Sequence, residues 1–115
     1  MVSDDITYSL IIPKTVQEQL EAIKNTIATA YFSDQAGANT VNNILYGLER
    51  LESFPEAGFK ADERVGASIY SPYETRGMIL GEYLAFYHIL EEQKIVFLSD
   101  IIHSKQSYIQ LLKKK

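Results

Sequence analysis

The chain has no cysteine, no tryptophan and only two histidines in 115 residues. Without cysteine there are no disulfides, no thiolate nucleophile and no Cys-ligated zinc. Two histidines among scattered acids give no metal-ligand spacing, so neither a metal nor another cofactor is expected. No apolar run approaches the ~20 residues that a bilayer-spanning helix needs. The opening "MVSDDITYSL" carries acids where a signal peptide has its positive region, which predicts a cytoplasmic protein with no membrane role. A basic face is lacking too. Fifteen acids against eleven bases leave a net charge of −4. A protein that grips nucleic acid usually carries the opposite sign, because neutralising phosphates releases counterions. The bases are dispersed apart from Lys113, Lys114 and Lys115, which read as a solvated end or as a contact for phosphate or an acidic partner.

What is present is apolar bulk. Nearly half the residues are hydrophobic, with eight tyrosines and five phenylalanines among them. That excludes intrinsic disorder, and the length predicts one domain over residues 1–115. "TYSLIIP", Thr7 to Pro13, reads as a strand stopped by proline. From Thr15, the positions Val16, Leu20, Ile23, Ile27 and Tyr31 fall three or four apart, which marks an amphipathic helix. Ser33 and Asp34 are N-cap residues for a second helix, whose stripe runs Ala36, Val41, Ile44, Leu45, Leu48 and Leu51. Residues 55–73 read as a loop with at most a brief strand. "TRGMILGEYLAFYHIL" then supplies two strands around Gly81-Glu82, a pair suited to a type II′ turn. "EEQK" turns the chain into "IVFLSDII", and the tail reads as a short helix with Tyr108, Leu111 and Leu112 inward. The order is β-α-α-β-β-β. This is an α+β domain with a helical hairpin packed on a small, mainly antiparallel sheet.

The two hairpins also imply a register. Pairing Glu91 with Lys94 sets His88 against Phe97, Leu84 against Ile101 and Glu82 against His103. Leu84, Phe86, His88, Phe97, Ile101 and His103 then share one face, with the histidine-bearing ends roughly 20 Å apart. A His-His dyad is excluded. Gly81-Glu82 pairs Leu80 with Tyr83 and Arg76 with Tyr87, so Arg76 lies on the face opposite His88, beside a phenol. His88 reads as a packed strand histidine, and His103 as the stronger functional candidate. Tyr83, Ala85, Tyr87 and Ile89 are as apolar as Leu84, Phe86 and Leu90, so both sheet faces need cover. Either the tail folds back over the second face or another chain covers it, and an open apolar face of that size marks a binding surface.

Three stretches carry a family resemblance: "LESFPEAG" with Phe54-Pro55 and Gly58, "TRGMILGEYLAFYHI" with Arg76 and "EYLAFY", and "IIHSKQSY" with its His103 to Tyr108. Together with the element order, they resemble the RelE/ParE superfamily of toxins from bacterial type II toxin–antitoxin pairs. The resemblance implies an antitoxin partner and one of two mechanisms. RelE-like members cut mRNA on the ribosome. That chemistry must activate a 2′-hydroxyl, stabilise phosphorane charge and protonate the leaving oxygen. ParE-like members bind DNA gyrase and need no nuclease site. Many members read His-Gly-Arg-Arg-Asp-Tyr near the end, where this chain has Lys105 and Gln106 in the arginine positions. Nuclease members commonly have Tyr-Arg where this chain has Tyr83-Leu84.

The resemblance therefore favours a ParE-like, non-enzymatic toxin that binds gyrase and is neutralised by a cognate antitoxin, in a toxin–antitoxin hetero-oligomer. Lys60, Arg64, Arg76, Tyr83 and Tyr87 are the expected target- or partner-binding residues. The alternative is a ribosome-dependent endonuclease that uses His103, Lys105 and Tyr108, with Arg64 or Lys60 from the loop. A third reading is an inactive homologue that serves only as an interaction module.

Overall fold

Pro13 separates the first two elements. It ends β1 (Ser9–Ile11) and stands at the N-cap of α1 (Lys14–Ala30), a position that needs no backbone N–H. α1 buries Val16 and Leu20, two members of the expected stripe. α2 (Asp34–Glu49) starts as its sequence predicts, with the Ser33 hydroxyl accepting from the Ala36 N–H at 3.1 Å. A 3-10 turn at Arg50–Glu52 continues the stripe as far as the fully buried Leu51. The remaining elements are β2 (Phe59–Lys60), α3 (Ala61–Val65), β3 (Thr75–Leu80), β4 (Tyr83–Leu90), β5 (Ile95–His103) and α4 (Tyr108–Lys113). The chain is therefore an α+β fold, as expected. The computed structural model describes residues 7–113. The acidic N-terminal segment, the last two lysines and the inward placement of Leu111 lie outside what it describes.

The five strands form one sheet in the order β1-β5-β4-β3-β2, antiparallel except for β1 beside β5. The β3–β4 register matches the expectation, with Leu80 opposite Tyr83, Arg76 opposite Tyr87 and Gly81 at φ 64 in the turn. The β4–β5 register corrects half of it. Glu91 and Lys94 bound the turn, and His88 faces Phe97 as expected. Ser99 is then an extra residue, so Tyr87 pairs with Leu98 but Phe86 with Asp100. Beyond that bulge, Leu84 pairs with Ile102 rather than Ile101, and Tyr83 rather than Glu82 faces His103. One inserted residue flips every later side chain to the other face. His88 and His103 therefore lie on opposite faces.

Gln19 on α1 holds the bulge. Its side-chain oxygen accepts from the Ile101 N–H at 2.9 Å, and its amide nitrogen donates to Asp100 Oδ1 at 3.2 Å. The Ser99 hydroxyl donates to the Phe86 carbonyl at 3.1 Å. The ladder groups that the bulge frees thus find partners.

Two cores result, one on each face. The larger joins α1 and α2 to Met78, Leu80, Ala85, Tyr87, Val96, Leu98 and Ile101. The second gathers Ala61 and Val65 of α3, Leu84 and Phe86 of β4, and Leu112 of α4, flanked by Phe59 and Tyr108. Of the two covers expected for that second face, the chain supplies its own. The tail folds back, and α3, from a segment read as loop, joins it.

Candidate interaction surface

The hairpin tip between α1 and α2 closes in an unusual way. The Ser33 N–H bonds to the Ala28 carbonyl at 2.9 Å and the Phe32 N–H to the Thr29 carbonyl at 3.3 Å, a Schellman closure. The residue in the left-handed position is Phe32, at φ 51, where glycine is usual. A side chain there costs about 1–2 kcal/mol. Phe32 gains no packing in return, since it is 96% exposed.

Beside this tip, a groove of about 760 Å³ runs between the helical hairpin and the β3–β4 turn. Tyr31, Thr40 and Tyr46 line it from the helices, and Ile79, Leu80 and Tyr83 from the strands. Gly47 brings α2 close to β3, because a Cβ there would collide with the Leu80 side chain. Tyr31, Tyr46 and Ile79 are each more than 60% exposed, at 69%, 77% and 63%. With Phe32 they make an aromatic surface of the kind that marks a protein contact. Arg50 and Glu82, one charge of each sign, are the ionic residues among the groove's lining.

His103 packs on Tyr83 of the groove wall, its ring edge-on at 5.3 Å. Its Nδ1 accepts from the Lys105 backbone N–H at 3.1 Å, and its Nε2 lies 3.3 Å from Glu82 Oε1. The network assigns the proton to Nε2, because Nδ1 must offer its lone pair. Both nitrogens are therefore engaged within the protein. Tyr108 lies elsewhere, with its ring against Phe59 at 6.2 Å and Phe86 at 5.6 Å in the second core. Arg64 joins Tyr108 there, its guanidinium 4.0 Å over the Phe59 ring. Lys60 pairs with Glu63 at the surface. The expected endonuclease set is thus split, with His103 against Tyr83 and Tyr108 and Arg64 sharing the Phe59 ring.

Arg76 and Tyr87 are buried and spend their polar atoms on one loop. The Tyr87 hydroxyl donates to the Pro55 carbonyl at 2.7 Å and accepts from the Gly58 N–H at 3.0 Å. Arg76 donates to the Glu56 and Gly58 carbonyls at 3.2 and 2.9 Å, and to Glu74 at 3.1 Å. Burial pushes the Tyr87 phenol above its usual pKa, against the opposing effects of the Gly58 hydrogen bond and the Arg76 charge. Among the described residues, no group of three or more His, Asp or Glu could hold a metal ion. No described helix is long and apolar enough to cross a membrane.

The family model for the ParE toxin of the type II toxin–antitoxin system parDE matches residues 10–108. That span runs from β1 to the first residue of α4. The chain belongs to the ParE toxin family. No curated protein matches it closely. As a type II toxin, it is one half of a two-component module whose other half is an antitoxin. In this ParE toxin, Leu84, which stands where nuclease members of the wider superfamily commonly have arginine, is buried in the second core. Sequence reading missed Tyr31, Phe32, Tyr46 and Ile79 as surface residues. The apolar spacing puts Tyr31 on the core stripe, but the Tyr-Phe pair directly before the Ser-Asp cap is a tip position, and Tyr31 is exposed.

Proposed function

We propose that this toxin arrests growth in the cytoplasm by binding a protein target, DNA gyrase, and that it performs no nuclease chemistry of its own. The engagement of both His103 nitrogens carries this reading. A general base needs a free lone pair within reach of the substrate proton. Here Nδ1 is taken by the Lys105 amide and Nε2–H by Glu82. Binding needs no such group, and the exposed aromatics around the groove supply contact area that suits a protein partner. The net charge of −4 argues the same way, since ribosomal RNA is a polyanion.

The test is to express the toxin alone and follow DNA supercoiling and mRNA integrity together. Supercoiling should fail first, with transcripts intact. His103→Ala should reduce toxicity only as far as it weakens target binding. Codon-phased mRNA cuts from the wild type, absent from His103→Ala at equal expression, overturn the proposal in favour of the endonuclease. In that case a proton-transfer role predicts a loss of about 10²–10⁴-fold in rate.

A further inference from the structure

The half of the helical hairpin that carries its tip overhangs the sheet. From Glu21 to Thr40 the only buried residue is Gly37, and it packs on α1. A Cβ at Gly37 would strike the Lys24 carbonyl and press on the Ala28 methyl, so the helices hold each other closely where no strand supports them. The tip is closed as firmly, by the Ser33 cap and by the bonds from Phe32 and Ser33 back to Thr29 and Ala28. Two of its polar side chains are satisfied internally, Thr40 at the Ala36 carbonyl and Gln35 at Asn39. Charge is nearly absent. Although 23% of the chain is charged, Asp34 is the only charged residue between Lys24 and Glu49. An exposed helix ordinarily carries charge on its outer face. Charge depletion beside exposed aromatics is the composition of an interface centre.

We infer that Phe32 is the anchor by which the toxin grips its target, its ring entering an apolar pocket with basic groups at the rim. This rests on the gyrase reading above and adds the contact that would carry it. The strained backbone at Phe32 aims an aromatic ring into solvent, and strain of this kind persists where a binding site requires it. The closed tip leaves little freedom to lose on binding. Shape selects the kind of partner. Phe32 is 96% exposed and does not line the groove, so no wall of the toxin stands ready to complete a pocket around it. The partner must supply the whole pocket. A large folded protein can do so, whereas a segment laid along the toxin's surface cannot. Charge selects the rim. An enzyme that acts on DNA carries basic surfaces for the phosphates. Asp34, two residues from Phe32, and the net charge of −4 complement such a surface.

The experiment measures binding of the full toxin to immobilised gyrase and, separately, to its antitoxin by surface plasmon resonance, alongside thermal unfolding. Phe32→Gly removes the ring and relaxes the left-handed backbone. Its unfolding midpoint should be no lower than that of the wild type and its antitoxin affinity unchanged. Its gyrase affinity should be at least roughly tenfold weaker. Phe32→Asn, which also accepts this backbone, should behave alike and stands in if the glycine variant fails to fold. Asp34→Asn should slow association with gyrase and flatten its salt dependence. Gyrase binding that survives unchanged in Phe32→Gly or Phe32→Asn overturns the anchor and leaves the gyrase reading standing. So does a loss confined to the antitoxin, or a toxin dimer that Phe32→Gly dissociates. An Asp34→Asn variant that associates as the wild type does overturns the basic rim. A wild type that does not bind gyrase overturns both the anchor and the gyrase reading.

Discussion

His88, which the sequence places as a packed strand histidine, is committed to packing in the structure. It sits in β4 with its ring edge-on to Tyr70 at 4.7 Å and tilted to Tyr73 at 6.4 Å, and its Nδ1 lies 3.2 Å from the Thr75 hydroxyl. Burial lowers its pKa from 6.5, and the Glu74 backbone bond with the Asp62 and Asp100 charges only partly opposes this. The neutral ring is thus the folded form. Because the folded pKa lies below the unfolded one, the stability from this site is fully present above pH 6.5. It is lost as pH falls from there through the folded value. Urea midpoints measured between about pH 7.5 and 5 should therefore fall for the wild type. They should fall less for His88→Gln, which keeps polarity without a titrating ring. Parallel slopes for the two proteins would assign the acid sensitivity to other groups.

Among the elements, the two helices and the long hairpin were legible because their signals are local: apolar spacing, a Ser-Asp cap, a Gly-Glu turn. The β4–β5 register was legible only as far as Tyr87. Ser99-Asp100 interrupts an apolar run, but whether such a pair is a bulge depends on a partner eighty residues away, Gln19, whose amide satisfies it. α3 was illegible for a similar reason. It has only five residues, and Asp62, which accepts from the Ile69 and Thr75 N–H groups, ties its loop to the sheet. The Phe54–Gly58 stretch that carries family resemblance proves to be a strut. Tyr87→Phe should leave the Gly58 N–H and Pro55 C=O without their partner and cost about 1–3 kcal/mol. Urea unfolding measures the loss, and faster amide exchange at Gly58 locates it. An unchanged midpoint would mean that Arg76 alone holds the loop.

At the scale of the whole molecule, a five-stranded sheet with two apolar faces has too few long helices to cover both, and the shortage is met from the chain's end. α4 brings Leu112, 4% exposed, and the Tyr108 ring onto Phe86 and Phe59, beside Ala61 and Val65 of α3. The sequence stated the shortage but not which segment would fill it, because a six-residue helix has almost no stability until it docks. The full toxin should therefore bind a hydrophobic dye only weakly, through the exposed aromatics beside the groove. A chain ending at Ser104 should bind the dye strongly and lose several kcal/mol of stability, since burying one leucine alone is worth about 2–5 kcal/mol against alanine. Antitoxin capture separates cover from partner. The helical wall of the groove lies across the sheet from the second core, so the truncated chain should still bind its antitoxin when assayed below its unfolding midpoint. Binding lost while circular dichroism still reports a folded sheet would show that the antitoxin also rests on α4, and that the second face belongs to the interface after all.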